Sequence, residues 1–197
     1  RHRNFEITRR QNDEWKACVA ACKLLCHSLF PVKHLADYNF SAALTGLCKS
    51  VQKDDMANEL GQRSVLLSQH CYKIEGFSLG RGYTLESFIK HPLQHGIDKA
   101  GATAFVSWPA LVPGINFSNP GQQPLYRLVA VLGAVPDIVY NEEKKMYVPM
   151  ADETVFPVVV FTDWHTAKQK MQAGSLSPSL PNAAAVLNHT LLLAVGI

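Results

Sequence analysis

The chain has 197 residues, of which 47% are hydrophobic and 18% are charged, and its formal net charge is +3. This composition is typical of an ordinary globular protein with a substantial core, arranged as one large domain or two small ones. The 19 basic and 16 acidic residues are scattered in both signs and form no basic stripe, so the sequence disfavours nucleic-acid binding.

The sequence contains no segment of the kind that inserts into a membrane. No run reaches about 18 apolar residues, and the first residues are too charged for the apolar core of a signal peptide. We therefore expect no membrane span. The sequence does not determine the cell compartment. Synthesis in the cytoplasm followed by release as an assembled particle is one expectation. The chain begins at Arg1 and ends on the apolar run TLLLAVGI, so we expect further residues beyond either end.

Helical periodicity dominates the first third of the chain. In the segment RRQNDEWKACVAACKLLCHSLF, apolar residues recur at steps of three and four, which predicts an amphipathic helix. Asn12 or Asp13 is the expected N-cap, Glu14 falls in the first turn, and Pro31 marks the end. The predicted core stripe consists of Trp15, Cys18, Val19, Cys22, Leu25, Cys26 and Leu29.

A second helix is predicted over residues 38–53, with Gly61 as a stop after a polar stretch. The linker PVKHLAD is short, and linkers of this length usually place two helices side by side. The sequence therefore predicts an antiparallel helical hairpin. One face of the second helix carries Phe40, Leu44, Leu47, Cys48 and Val51.

Beyond residue 70 the period shortens towards two. Short runs rich in Val, Leu, Tyr and Phe indicate strands, and they are separated by turns rich in Pro, Gly and Asn. We expect HTAKQKMQA to be a short helix or part of a loop. The fold class predicted is α+β: a helical hairpin over 1–69, then an antiparallel, immunoglobulin-like β-sandwich over 70–197. The predicted strands lie in CYKIEGFSL, TAFVSW, LYRLVAVLGAV, KMYVPM, TVFPVVVF and TLLLAVGI.

The cysteines Cys18, Cys22 and Cys26 are spaced four residues apart on the first helix. Three thiolates strung along about 12 Å of helix cannot all reach one metal ion, and side-by-side Cβ vectors make an intrahelical disulfide poor in geometry. A free cysteine packs as a small apolar residue. The spacing therefore predicts core packing, and the odd total of five cysteines favours reduced thiols.

The segment GFSLG matches the nucleophile-elbow pattern, which would expose Ser78 between a strand and a helix. The segment that follows, RGYTLESF, does not favour a helix, and the region upstream is helical where an oxyanion loop would be needed. A glycine-kinked strand end is the simpler interpretation. The acid and base candidates downstream are Asp137, Asp152, Asp163, His165 and His189.

The segment HPLQH places His91 and His95 four residues apart, with Asp98 nearby, which would supply two or three metal ligands on a helix. Pro92 and Gly96 favour a loop instead. No phosphate loop and no dinucleotide fingerprint occurs in the sequence. We therefore predict no catalytic, cofactor-binding or metal-binding residue, and no cofactor.

Three segments, RHRNFEITRRQNDEWKACVAACKLL, HLADYNFSAALTGLCKSVQKDD and GQRSVLLSQHCYKIEGFSL, resemble the central part of a family of uncharacterised proteins from Bacteroidota-type bacteria. The later SWPALVPGINFSNP and LLLAVGI also fit, so the resemblance covers most of the chain. No catalytic motif defines that family and the cysteines are not part of its pattern, so the resemblance implies no activity. The residues that carry it are Asn4, Glu6, Lys23, Leu24, Ala36, Asp37, Gly61, Arg63, Gly76 and Phe77.

Two classes of function follow from these patterns. The first is a non-enzymatic structural or assembly protein, a homo-oligomer or homopolymer whose terminal apolar segments pair with neighbouring copies as a filament or particle. Taken alone, however, the run TLLLAVGI favours a buried central strand of its own sheet. The alternative is a small serine hydrolase that uses Ser78. A carbohydrate-binding module is a third possibility, which depends on fold analogy alone. The sequence favours the structural protein.

Overall fold

The computed structural model describes residues 5–151 and 155–197. The fold is α+β: two long helices pack together at the start of the chain, and several small antiparallel sheets follow. Within these ranges, no helix combines the length and apolar character needed to cross a membrane. The helices are α1 (Glu6–Ser28), α2 (Ser41–Lys53), α3 (Leu67–His70) and α4 (Leu85–Phe88), with 3-10 turns at Phe30–Leu35, Cys71–Lys73 and Ala184–Val186.

Helix α1 begins about two turns earlier than predicted. Its first residue is Glu6, so the predicted caps Asn12 and Asp13 lie inside the helix, while Pro31 follows its end as expected. The buried stripe is also rotated: Trp15 is 48% exposed, and Glu14 is fully buried instead. The rotation follows from the ion pairs of Glu14, described below.

The predicted hairpin of the two long helices is confirmed. The first half of α1 contacts the end of α2 through Cys18 and Gln52, and the second half contacts its start through Cys22 and Ser41, so the helices run antiparallel. Helix α2 starts at Ser41 rather than at 38. The shared apolar cluster includes Ala17, Cys18, Ala21, Cys22, Leu25, Leu44, Cys48 and Val51.

The part of the chain that the structure describes contains ten strands: β1 Gln94–Asp98, β2 Thr103–Trp108, β3 Leu125–Tyr126, β4 Val129–Pro136, β5 Ile138–Asn141, β6 Met146–Pro149, β7 Val158–Phe161, β8 His165–Thr166, β9 Gly174–Leu176 and β10 His189–Gly196. They form four antiparallel sheets, with the orders β10-β4-β7, β1-β2-β9, β3-β8 and β5-β6. Among these strands, the central strand β4 alone is buried at every residue.

The burial of β4 on both faces sets the layering of the molecule. Val131 and Val135 face the cluster of α1 and α2, and Val129 joins them. Leu132 and Ala134 face the opposite way, into a cluster with Ala104 of β2 and Leu191 of β10. The sheet β10-β4-β7 therefore lies between the helices on one side and the sheet β1-β2-β9 on the other.

Most of the predicted strand segments contain a strand, and one does not. The segment 71–79 forms a 3-10 turn at Cys71–Lys73 and a turn at Gly76, whose φ of 76° lies in the left-handed region that favours glycine. Only Val158–Phe161 of TVFPVVVF is a strand, because Pro157 lacks the N–H that a ladder needs; Thr154 lies outside the described residues. HTAKQKMQA begins with β8 and continues as a loop.

The immunoglobulin-like sandwich and the division into 1–69 and 70–197 stay predictions. Contacts of α1 with β4, and the bridge between Val65 and Ile138, join the two proposed parts.

A close approach between α1 and β4 depends on Gly133. A Cβ atom at this position would lie 2.5 Å from Cβ of Ser28 and 2.9 Å from its Oγ. The Ser28 hydroxyl also donates to the carbonyl of Ala134 at 3.4 Å. The absence of a side chain at 133 therefore sets the distance between the helix and the sheet.

We predict that Gly133→Ala lowers the free energy of unfolding by about 1–3 kcal/mol, because the added methyl group forces α1 away from β4. Urea unfolding followed by circular dichroism measures the change. Gly46→Ala is the matched control, since a Cβ at Gly46 in α2 meets nothing within 4 Å; we expect it to stabilise by about 0.5–1 kcal/mol. Equal stability of Gly133→Ala and wild type would contradict the argument.

Candidate functional site

The predicted nucleophile Ser78 lies in a loop. It follows the turn at Cys71–Lys73 and precedes α4, so the strand and helix of a nucleophile elbow do not flank it. Its hydroxyl donates to the carbonyl of Gly80 at 2.8 Å and accepts from the Gly80 N–H at 3.2 Å. The loop itself therefore uses this hydroxyl as a turn-forming group, and the kinked strand end predicted for it is a loop as well.

The two candidate histidines are held in separate environments. His165 in β8 has its ring centroid 6.1 Å from that of Tyr126. His189 at the start of β10 is 1% exposed, and neither of its ring nitrogens has a hydrogen-bond partner in the part of the chain that the structure describes. No orienting group fixes the tautomer of His189, as a general base would require.

The candidate acids likewise form local contacts. Both carboxylate oxygens of Asp137 accept hydrogen bonds from Ser68, one from the N–H at 2.9 Å and one from the hydroxyl. Asp163 accepts from the Thr162 hydroxyl through its backbone carbonyl. Asp152 lies outside the described residues. The structure therefore brings no acid, histidine and serine together among the described candidates.

The metal-binding candidates His91, His95 and Asp98 lie in an exposed loop and on β1, not on a helix. His91 Nδ1 lies 2.8 Å from the Pro92 carbonyl oxygen, and Asp98 accepts from the N–H of Ala100. Across residues 5–151 and 155–197, no group of three or more His, Cys, Asp or Glu side chains could hold a metal ion.

The cysteines pack as predicted. Cys18 and Cys22 are buried, Cys26 is half-buried, and all five thiols are free. The Sγ atoms of Cys22 and Cys26 lie 3.9 Å apart. Burial raises the pKa of the Cys18 thiol to about 11 and that of Cys48 to about 12. Because the thiolate is the reactive form, these groups are inert at neutral pH.

We predict that a thiol reagent at pH 8 labels the exposed Cys71 first and leaves Cys18 and Cys48 unlabelled until the protein unfolds. Mass spectrometry of timed samples, with and without urea, measures the order. Cys71→Ser is the control and removes the fast phase. Fast labelling of Cys48 in the native protein would contradict the packing role.

A buried ionic cluster, which sequence reasoning missed, joins α1, α2 and the following loop. We call it the Glu14 cluster, after the carboxylate at its centre, which is fully buried. Arg63 donates to both carboxylate oxygens at 2.7 and 2.8 Å, Lys49 donates to one at 2.6 Å, and the N–H of Gly61 donates to the other at 2.9 Å. Each oxygen therefore accepts two hydrogen bonds.

Gln52 extends the Glu14 cluster. Its amide nitrogen donates to the backbone carbonyls of Glu14 and Arg63, and its amide oxygen accepts from Lys49 and from the thiol of Cys18. One feature of the sequence could have revealed this cluster: Glu14 lies on the same side of the helix as the apolar residues Ala17, Ala21 and Leu25. A charged residue at such a position requires a buried partner.

Burial by itself raises the pKa of the Glu14 carboxyl, but hydrogen bonds from Arg63, Gly61 and Lys49 outweigh that effect and hold the pKa below its ordinary value of 4.5. The groups of the cluster bond to one another: Lys49 donates to Glu14 and Gln52, and the Cys18 thiol donates to Gln52. Its chemistry is structural: it fixes the loop of residues 54–64 against both helices.

We predict that Glu14→Gln lowers the free energy of unfolding by about 3–5 kcal/mol at neutral pH, because it leaves Arg63 and Lys49 without their buried counter-charge. Urea unfolding at several pH values measures the effect. Since the folded-state pKa of Glu14 is depressed, its stabilisation is complete above pH 4.5 and declines as the pH falls below that value. The difference between variant and wild type should shrink accordingly.

The matched control is Glu6→Gln on the same helix. Glu6 pairs with Arg10 at 2.8 Å, but both side chains are about half exposed, and pairs of this kind contribute about 0–1 kcal/mol. A loss for Glu14→Gln no larger than that for Glu6→Gln would contradict the role assigned to the Glu14 cluster.

The strand β10 is a second structural feature of interest, after the Glu14 cluster. It pairs with β4 over all eight residues, from His189 opposite Pro136 to Gly196 opposite Val129. Its other side, which we call the free edge of β10, receives no backbone hydrogen bond from the described residues. The N–H and C=O groups that point away from β4 therefore have no strand partner among the described residues.

The free edge of β10 carries none of the sequence features that usually protect an edge strand. The sequence HTLLLAVG has no Asp, Glu, Lys, Arg or Pro, and its pairing with β4 is unbroken by a bulge. Leu192 and Ala194 lie on the face towards the helices, and Leu193 and Val195 on the other face. All four are half-buried.

The opposite edge of the same sheet is protected. The strand β7 has four residues, Val158–Phe161, and Pro157 directly precedes it. At its far end the guanidinium of Arg127 lies 3.9 Å from the ring centroid of Phe161 and 4.6 Å from that of Trp164. Bulky side chains and a proline thus limit this edge, so the free edge of β10 is the candidate functional site.

Comparisons with models of protein families, with curated proteins and with solved structures find no match to this chain. The resemblance to the Bacteroidota family therefore stays a prediction.

Proposed function

We propose that this protein is a non-enzymatic structural or assembly protein that self-associates by strand pairing at the free edge of β10. The observation that carries the proposal is an eight-residue edge strand, apolar from Leu191 to Val195, that contains no Asp, Glu, Lys, Arg or proline and no bulge. Such an edge is a template for another strand, and strand addition is a recurring mode of protein association.

Pairing at this edge would satisfy two needs of β10 at once. A partner strand would bond the outward-facing N–H and C=O groups, and it would cover the half-buried side chains on both faces. Each cross-strand pair contributes about 0.2–1 kcal/mol, so a ladder along most of β10 would offset part of the entropy lost on association.

The immunoglobulin-like sandwich is part of the same proposal. The sheets β10-β4-β7 and β1-β2-β9 would be its two layers. The support is the cluster in which Ala104 of β2 packs with Leu132 of β4 and Leu191 of β10. Membership of the Bacteroidota family is likewise retained as a proposal, on its sequence motifs.

The alternative, a serine hydrolase, receives no support from the described contacts. The Ser78 hydroxyl bonds to Gly80, and neither His165 nor His189 is oriented towards it by a described hydrogen bond. We therefore do not propose hydrolysis.

We predict that the wild-type protein forms oligomers whose mass rises with concentration in sedimentation velocity experiments. Ala194→Lys should shift the population to monomers, because the lysine head reaches water beside the free edge and would be buried by a partner strand. Circular dichroism checks that the variant is folded.

Val159→Lys on β7 is the matched control. Ala194 and Val159 flank the same residue, Val131, from the two sides of β4 and on the same face of the sheet. The control introduces the same charge at the protected edge and should leave association unchanged. A wild-type protein that is monomeric at every concentration would refute the proposed function.

A further inference from the structure

We infer that the partner at the free edge of β10 is the same edge of a second copy, antiparallel to the first and related to it by a twofold axis. This inference rests on the proposed function and names its partner and symmetry. It gives a closed dimer with a continuous sheet in the order β7-β4-β10 followed by β10-β4-β7 of the second copy.

Strand length favours β10 as its own partner. The strand has eight residues, whereas β7 has four, β1 has five and β9 has three. A ladder between β10 and β7 of another copy would end at Pro157 on one side and at Phe161, stacked under Arg127, on the other. Pairing of β10 with itself avoids both obstacles.

Charge and hydrophobicity also favour self-pairing. The exposed strand β1 carries the carboxylate of Asp98, whereas β10 has no Asp, Glu, Lys or Arg. A twofold axis perpendicular to the sheet places the same face of both copies on the same side of the joined sheet. The row that contains Leu192 and Ala194 would thus continue into the same row of the second copy, next to the helices of both.

Symmetry restricts the register. Directly opposed residues in an antiparallel ladder alternate between hydrogen-bonded and non-hydrogen-bonded pairs. Suppose that Leu192 of one copy faced Leu193 of the other. The twofold axis would then also place Leu193 of the first copy opposite Leu192 of the second, and these two adjacent pairs would be of the same hydrogen-bonding type. The alternation forbids two adjacent pairs of the same type. One residue must therefore face its own counterpart. Two registers place such a self-facing residue near the middle of the strand. One pairs residues 189–195 of the two copies around Leu192, and the other pairs residues 190–196 around Leu193.

Single-cysteine cross-linking tests the pairing directly. Opposed residues in antiparallel strands have Cα atoms about 4.5–5.5 Å apart, within the range for a disulfide. In a Cys71→Ser background, cysteine is placed in turn at Leu191, Leu192, Leu193 and Ala194, mild oxidation at pH 8 follows, and covalent dimer is measured by non-reducing electrophoresis. The matched control is Val159→Cys on β7, at an equally half-buried edge position.

We expect Leu192→Cys or Leu193→Cys to form covalent dimer about tenfold faster than Val159→Cys, because pairing raises the effective thiol concentration to the millimolar range. Comparable rates at all positions would overturn the inference. A mixed or double variant offers both Leu192→Cys and Val159→Cys. Cross-links between position 192 of one copy and position 159 of another, seen as a series of covalent oligomers, would also overturn the inference in favour of an open polymer.

The two proposals fail separately. A wild-type protein that sediments as a monomer refutes self-association itself. A wild-type protein that oligomerises, with no rapid cross-link along β10, leaves the proposed function in place and refutes only the twofold pairing of β10 with itself.

Discussion

The burial of β4 on both faces is the constraint on which the rest of the structure depends. Its valines pack under α1 and α2, and Leu132 and Ala134 pack against the layer of β2. The sheet has three strands with β4 at its centre, so each of its neighbours, β7 and β10, lies at an edge. The contact of Ser28 with Gly133 brings the helix close enough to cover one face. The position of β10, and hence the candidate site, follows from this arrangement.

The Glu14 cluster stabilises the same arrangement from the helical side. A fully buried carboxylate is tolerable only because Arg63, Lys49 and Gly61 satisfy both of its oxygens. These partners come from α2 and from the loop that leads to Val65, which bridges Ile138 beside β4. The cluster therefore joins the helical hairpin to the start of the sheet region. Such a polar centre gives the helices one specific alignment, which the small side chains of Ala17, Ala21 and the cysteines alone would not.

The sequence predicted the parts of the fold that periodicity encodes. Steps of three and four identified α1, α2 and the inward-facing cysteines, and the apolar runs identified β2, β4 and β10. Periodicity could not show that Glu14 takes a buried position and Trp15 an exposed one, because Arg63 lies 49 residues away along the chain. It also misjudged 71–79, where tertiary contacts and Gly76 override an alternating pattern. The apolar run TLLLAVGI, taken alone, favours a central strand, and this prediction is wrong: β10 lies at an edge of its sheet, because strand order is decided by long-range pairing.

The two edges of the sheet differ in a way that monomer stability does not require. Edge strands in isolated domains are usually interrupted by charge, proline or a bulge, and β7 follows that rule through Pro157 and the stacked Arg127, Phe161 and Trp164. A single lysine in β10 would protect the other edge at little expense, since a long side chain at an edge reaches water. In the proposed function, the apolar sequence of β10 would make this edge competent to pair, and pairing with an identical edge would consume both edges at once. A closed dimer removes the exposed template that an open polymer would keep at its growing end.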